Sequence, residues 1–502
     1  MKNLTLLIFA LLFTQITAYS QLCLPEGITF TTQEEIDNFQ TNYPNCTEIE
    51  GYVTIGYSYG GADITNLNGL SVITSIGGYL YVLNIEALIS LSGLDNLTSI
   101  GGDLQIEGND ALTSLMELDN LASIGGHLKI WDNDALTSLS GLDNVISIGE
   151  ELLIWQNTAL TSLSGLEGLT SIEELLDISG NTALTNLTGL DNVTSIGELL
   201  ISDNDALTSL TALNNLTSIG GHLQISENDT LTSLTGLDNV TFIPGYLNIL
   251  NNVTLTNLSG LDNLTSIGGN LRIHGNDALT SLMGLDNLAS IEGGLTIGGN
   301  DALASLSGLS NLTSIGHELT IQNTFLTSLS GIDNITSIGG GLLVRYNDSL
   351  ISLIGLDNID AASINSLWIF TNNSLTTCEV QSICEYLAIP GGDINIYNNA
   401  PGCNSQEEVE EACEAVSVNE VNFQNKLSVN PNPSEGIFNI LFEGVESDIQ
   451  IKVFDLIGKE YSNFELNGSA STQLDLTELA AGVYFISFSG KDFRQVKKIV
   501  IQ

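Results

Sequence analysis

Gly101-Gly102-Asp103-Leu104-Gln105-Ile106-Glu107-Gly108-Asn109-Asp110-Ala111-Leu112-Thr113-Ser114-Leu115-Met116-Glu117-Leu118-Asp119-Asn120-Leu121-Ala122-Ser123-Ile124 is followed at once by the same grammar in Gly125-Gly126-His127-Leu128-Lys129-Ile130-Trp131-Asp132-Asn133. Outward from this stretch the pattern G-G-x-L-x-I-x-x-N-x-x-L-T-S-L-x-G-L-D-N-L-T-S-I recurs from about residue 52 to residue 375. Its aligned asparagines are Asn109, Asn133, Asn157, Asn181, Asn204, Asn228, Asn252, Asn276, Asn300, Asn323, Asn347 and Asn372, almost always 24 apart. A fixed period of this size predicts a solenoid, in which each turn buries its apolar edge only against its neighbours. L-x-I, L-T-S-L and L-T-S-I read as short β-type segments separated by Gly-Gly, N-D and D-N turns, and no helix of ten residues fits between them. Leu104/Ile106, Leu128/Ile130, Leu152/Ile154 and Leu176/Ile178 are expected to stack as inward ladders. Some thirteen turns at the parallel strand spacing give roughly 60 Å.

Leu-x-Ile-x-x-Asn-x-x-Leu followed by Leu-x-Asn-Leu-x-x-Ile-x-Gly resembles the receptor L-domain repeat, a relative of leucine-rich repeats, over about two thirds of the chain. One residue more than the usual leucine-rich spacing favours the straighter β-helical form over a helix-backed horseshoe. The resemblance implies an extended binding surface. The expected fold is therefore all-β: a right-handed parallel β-solenoid of 24-residue turns with short helical, disulfide-linked caps, followed by a small antiparallel β-sandwich.

The chain has 502 residues, 59 acidic against 11 Lys plus Arg, for a net charge of −48. That charge repels nucleic acid and anionic membranes. Residues 1–20 carry Lys2, the apolar run Leu4 to Phe13 and Ala18-Tyr19-Ser20, the expected form of a signal peptide cut near Ser20. Export suits the six cysteines as disulfides. Cys23 with Cys46 is the simple pair in an N-terminal cap, residues 21–51. Cys378, Cys384, Cys403 and Cys413, in a cap at 376–413, allow three connectivities among which the sequence does not choose. Thr32-x-x-Glu35, Thr376-x-x-Glu379 and Ser405-x-x-Glu408 read as capping boxes opening short helices.

Residues 414–426 mark a composition break before a separate domain, 427–502. Alternating segments such as Ile437 to Phe442, Ile449 to Phe454 and Gly482 to Phe488 have period two and predict antiparallel strands. Asn430-Pro431-Asn432-Pro433, Val453 to Lys459, Leu474-Asp475-Leu476 with Leu479, Ala481-Gly482-Val483-Tyr484 and Lys497-Lys498-Ile499 together resemble the C-terminal sorting domain, type A, of the Bacteroidetes type IX secretion system. The resemblance implies passage across the outer membrane, removal of the domain, and surface attachment or release, with the secretion machinery as a partner. In a bacterial protein the Asn-x-Thr triplets, such as Asn96 to Thr98, are repeat grammar and not glycosylation sites.

Residue patterns that carry catalysis are sparse. His127, His222 and His317 recur at the same place in their turns, 95 residues or roughly 19 Å apart, too far to share a metal. No nucleophile elbow, His-Glu-x-x-His or phosphate loop occurs. The positions that vary are the outward ones in and just after L-x-I: Lys129, Trp131, Leu153, Trp155, Arg272, His274, Arg345, Tyr346, Trp368 and Phe370. All three tryptophans and all three cations between residues 22 and 425 fall there, so Lys129, Trp131, Trp155, Arg272, His274, Arg345, Tyr346 and Trp368 are the candidate ligand contacts. Trp131 and Trp155 are expected side by side as a flat platform for a sugar ring or protein loop; cross-strand stabilisation is the plainer role for the same residues.

The D-N turns stack Asp95, Asp119, Asp143, Glu167 and Asp191, then Asp238, Asp262 and Asp286. Such carboxylates either cap their own turns or hold Ca²⁺ between turns, and capping is the simpler reading. A threonine row, Thr113 to Thr280, invites a water-ordering role but lacks a second row on the same face. The resulting expectation is a non-catalytic, secreted or surface-attached protein that binds an extracellular protein or glycan in adhesion, with no cofactor. A polysaccharide-degrading β-helix enzyme and a passive spacer are the alternatives.

Overall fold

A computed structural model describes residues 21–420, 427–442, 449–455, 459–466, 471–489 and 494–502. The expected signal peptide lies outside the described residues. The L-x-I segments form one continuous parallel ladder of about sixteen turns. Leu104, Leu128, Leu152 and Leu176 are in register, as are Ile106, Ile130, Ile154 and Ile178, and all eight are fully buried. The ladder also takes in Ile28–Phe30 and Ile394–Tyr397, one strand beyond the repeat at each end. Fifteen steps of the parallel spacing make it roughly 70 Å long.

The S-I segments stack as a second parallel ladder, for example Ser99–Ile100 on Ser75–Ile76 and Ser123–Ile124. The third side differs from expectation. L-T-S-L forms no regular strand; isolated inter-turn bonds, such as Thr185 N–H to the Thr161 carbonyl at 3.2 Å, hold it together. Its corner is a glycine turn. Gly165 sits at φ +113°, where a Cβ would lie 2.1 Å from the Leu139 carbonyl oxygen of the preceding turn. The corner tightens into 3₁₀ turns at Asn68–Leu70, Met116–Leu118, Thr211–Leu213 and Ser307–Leu309. Glu117 and Ala212 carry a Cβ that disfavours the glycine conformation, whereas Gly69 and Gly308 take the same compact turn without that constraint.

Inside the corner after L-x-I runs a column of fully buried asparagines. From Asn133 to Asn276 each Oδ1 accepts the backbone N–H and side-chain N–H of the asparagine one turn earlier, as Asn181 and Asn204 do. Over the same stretch each Nδ2 also donates to a carbonyl of the Ile row and to the carbonyl two residues before itself, as in Asn157 and Asn181. Burying an amide here costs little because its groups are satisfied, including backbone groups no strand could reach. One assignment is corrected. Asn323 is not in the column: it takes the left-handed position before it, φ +49°, and Thr324 occupies the buried site, its hydroxyl donating to Asn347 Oδ1 at 2.7 Å. Counting three residues from Ile321 gives Thr324, as counting three from Ile297 gives Asn300; that turn lost its residue after the column, not before it.

At the N-terminal end Thr32 and Glu35 form the capping box of helix Gln33–Asp37, which buries Ile36, and a second short helix, Phe39–Asn42, buries Phe39. Cys23 bonds Cys46. At the other end the disulfides are Cys378–Cys403 and Cys384–Cys413. Thr376-x-x-Glu379 does not open a helix. Helix Gln381–Ala388 starts after Val380, Cys378 precedes it, and the Glu379 carboxylate accepts the Cys378 N–H. Ser405 and Glu408 do cap helix Gln406–Glu420: the Ser405 hydroxyl accepts the Glu408 N–H, and Glu408 accepts the N–H groups of Gly402 and Asn404.

The C-terminal region has two antiparallel sheets. Leu427–Asn430, Ile437–Phe442 and Ser471–Asp475 form one; Glu460–Leu466, Ile449–Asp455, Gly482–Ser489 and Arg494–Ile501 form the other. Phe438, Ile440, Ile451, Val453, Leu474, Ile486 and Phe488 share one core between them. Asn432 explains the Asn-Pro-Asn-Pro motif. Its Oδ1 accepts the Val500 N–H and its Nδ2 donates to the Lys498 carbonyl, both at 2.8 Å, clasping the domain's start to its last strand.

Candidate ligand-binding face

Strand alternation sends Leu and Ile inward, so the residue before Leu, the residue between the two, and the residue after Ile all face outward from the L-x-I ladder. Lys129, Leu153, Arg272 and Trp368 occupy the middle outward column. Trp131, Trp155, His274, Arg345 and Phe370 occupy the one after Ile. Tyr346 stands one residue further on, exposed, at a left-handed φ of +56°. The sequence-predicted residues therefore share one face. They do not form one site: Trp131 and Trp368 are ten strands apart, about 48 Å. The groups the structure brings together are Trp131 with Trp155, and Arg345 with Tyr346, Phe370 and Tyr397.

The outward column before Leu is a contribution that sequence reasoning missed. Tyr52 stacks on Tyr79 at 4.9 Å, Tyr79 contacts Tyr81 at 4.0 Å, and His222 stacks on Tyr246 at 3.8 Å. The same period-two alternation, extended one step toward the N-terminus, would have found it. The histidines serve the backbone here: Nδ1 of His127 accepts the Glu151 N–H and Nδ1 of His222 the Tyr246 N–H. His317 stands one position earlier than these two, two residues before Leu319, so the three do not share one place in the turn.

Trp131 and Trp155 stack face to face, centroids 5.0 Å apart and planes 14° from parallel. Their facing surfaces are thus spent on each other, and the expected two-ring platform becomes a wall one ring wide. The next residues along, Ser179 and Gly180, are small. Beyond Trp155 this leaves an open depression of about 720 Å³, with Asp132, Asp134, Asp203 and Asp205 at its margins. An aromatic face beside hydroxyl-accepting carboxylates is suited to a sugar, whose C–H face stacks while its hydroxyls donate.

Electrostatics sharpen this site. Burial raises the Asp177 carboxyl above its ordinary value, against the lowering effects of the Ser179 hydroxyl and, more weakly, the Trp155 indole N–H. That N–H is buried and has no hydrogen bond of good geometry. Asp203 is raised by burial and by Glu227. The sign for Asp177 follows from linkage. Its contribution to stability is full below the unfolded carboxyl pKa, about 3.9, and is lost as pH rises through the elevated folded value. Asp177→Asn is therefore expected to raise the melting temperature at pH 7, with the difference vanishing near pH 3; equal melting curves at pH 7 would refute the burial effect.

The other columns have their hydroxyls and amides committed. Thr161, Thr185, Thr208, Thr256 and Thr280 each donate the side-chain hydroxyl to the threonine carbonyl one turn earlier. Thr98, Thr194, Thr217 and Thr265 do the same on the adjacent side. The threonine rows are inter-turn clips. In the D-N turns, Asp143, Asp191, Asp238 and Asp262 accept the N–H of the glycine two residues back. The following asparagines reach the preceding turn, as when Asn263 donates to the Asp238 carbonyl.

Residues 45–125 and 217–281 match the receptor L domain family, and residues 428–502 match the secretion system C-terminal sorting domain. No curated protein matches the chain. The molecule is thus a β-solenoid consistent with L-domain-like repeats. In particular it carries a type IX sorting domain, which supports secretion by that route and a cell-surface or released location. The two families support a non-enzymatic repeat protein. Among the described residues no helix is long and apolar enough to cross a membrane.

Proposed function

We propose that the solenoid holds an extracellular glycan or protein segment against the outward face of its L-x-I ladder, in an adhesive role without catalysis. A sugar at the Trp155 depression is the best-supported occupant. The observation that carries this is the uncovered side of the Trp131–Trp155 stack, where small neighbours leave an aromatic wall beside four carboxylates. A ring that served only to brace the ladder would be followed by another bulky residue, as Phe370 is by Tyr397.

Trp155→Ala is expected to weaken retention on a glycan array by about 5- to 150-fold, given a stacking contribution of about 1–3 kcal/mol for an aromatic platform. Unfolding measured alongside separates loss of contact from loss of fold. Wild-type retention without new reducing ends supports binding; release of product supports the enzyme alternative; retention unchanged in Trp155→Ala removes this site from the reading.

A further inference from the structure

Two of the three cations of the solenoid, Arg272 and Arg345, border a second depression of about 580 Å³ on the same face, three strands apart or about 14 Å. Between them Gly294 has no side chain and Thr296 and Thr320 are short, while His317, Gln322 and Leu343 also line the depression. Tyr246 closes one end. In a chain with 59 carboxylates, neither arginine has an acidic partner within 4 Å among the described residues, whose ion pairs involve only His127 and Lys452. Arg345 is held by its Nε, which donates to Gln322 Oε1 at 2.8 Å, and by the Tyr346 ring, whose centroid lies 5.7 Å from the guanidinium carbon; neither contact neutralises its charge. Glu318 also lines the depression, but it accepts the Thr320 hydroxyl and is the one carboxylate there.

An unpaired guanidinium is an uncommon expense in so acidic a protein, and two on one polar trough form a matched pair of oxyanion contacts. We infer that this trough binds an acidic oligosaccharide, one carrying carboxylates or sulfates at two points along its length. The trough favours a glycan over an acidic peptide, because its lining is mainly polar, with the hydroxyls of Thr296 and Thr320 and the amides of Asn248, Asn270 and Gln322 as partners for sugar hydroxyls. The overall charge of −48 does not forbid it. At physiological salt repulsion from distant carboxylates is screened beyond about 8 Å, while the arginines act by contact.

The inference rests on the reading of this face as the ligand surface but depends on different residues. The test is calorimetric titration of the whole protein with oligogalacturonate, a sulfated oligosaccharide, a neutral cello-oligosaccharide, an acidic peptide and inorganic sulfate. Arg272→Gln and Arg345→Gln are each expected to weaken binding of the acidic oligosaccharide on the order of tenfold, and together to abolish it. Arg272→Lys should retain part of it, and Trp155→Ala should leave it unchanged. Carboxylated or sulfated probes binding alone identifies which oxyanion is preferred, and either supports the inference. Binding insensitive to both arginines, no binding of any acidic oligosaccharide, preference for the acidic peptide, or displacement by inorganic sulfate at equal concentration overturns it. Neutral glycan retained through Trp155 in that event leaves the broader reading intact. Arginine-dependent binding with no neutral glycan retained removes the Trp155 site and keeps this one. Matching melting temperatures of the variants exclude misfolding.

Discussion

Asn204→Leu is expected to destabilise the solenoid by about 4 kcal/mol although the replacement has the same number and branching of side-chain heavy atoms and is more apolar. Asn204 Oδ1 accepts the Asn181 backbone N–H at 3.1 Å and its side-chain N–H at 3.3 Å. Its Nδ2 donates to the Ile178 and Ser202 carbonyls, both at 2.9 Å, and to Asn228 Oδ1 at 3.3 Å. Leucine removes all of these at once at a fully buried place. The Asn181 N–H is then orphaned and the Ile178 carbonyl loses its side-chain partner, each costing about 1–3 kcal/mol where water cannot enter. A hydrophobic gain does not offset this, since the site is already sealed and Asn204 is exposed to neither solvent nor apolar contacts that it lacks. Because a solenoid's stability is carried by nearest-neighbour interfaces, the defect also weakens the coupling of the turns on either side. Denaturant unfolding should show a lower midpoint and a broadened or split transition. A midpoint shift equivalent to less than 1 kcal/mol would show that the column fills space and does not hold the corner.

That column also marks the limit of what the repeat discloses by itself. Leu128, Ile130 and Asn133 recur with so little variation that direction and burial were readable, and the parallel ladder follows from them. Asn323 was misplaced because residue identity was followed where spacing from Ile321 should have decided: a hydroxyl in Thr324 can do part of an amide's work, so the letter changed while the position did not. L-T-S-L looked like a strand because its apolar spacing is right, yet the Gly165 turn bends the backbone away from extended geometry at that corner. The disulfide partners were not legible. Pairing depends on which helix lies over the last strand, and Cys384 meets Cys413 only because helices Gln381–Ala388 and Gln406–Glu420 pack together there. The candidate face was half legible. Trp131, Trp155 and the two arginines stand out as departures from the repeat, whereas depressions arise from what is missing between them, Ser179 with Gly180 and Gly294 with Thr296, and small residues attract no notice in a glycine-rich chain.

Removing the Cys378–Cys403 bond, by Cys378→Ala with Cys403→Ala, is expected to cost about 3 kcal/mol and to promote association of chains through the exposed end. The first figure follows from the chain entropy released when a loop of 25 residues is no longer closed. The second follows from position. Asn399 ends the buried amide column: its Oδ1 accepts from Asn372, and its Nδ2 donates to the Ile369 and Cys403 carbonyls. Cys403 thus both closes the loop and receives the last hydrogen bond of the column, so cutting the bond frees the group on which the column terminates. Beneath it lies Ile394–Tyr397, the final strand of the parallel ladder, against which helix Gln406–Glu420 packs. If the cap lifts, a strand edge with unpaired N–H and carbonyl groups is exposed above an apolar interior, the arrangement that recruits further chains. Cys384–Cys413 still ties the two helices to each other, but that bond alone does not fasten them to the column. Size-exclusion chromatography of the double variant should show concentration-dependent association beyond that of the intact protein, and reduction of the intact protein, which also opens Cys23–Cys46 and Cys384–Cys413, should produce at least as much. A variant that elutes as the intact protein does, with an unchanged melting temperature, would mean that helix packing alone seals the end, and that the cysteines are redundant to the cap.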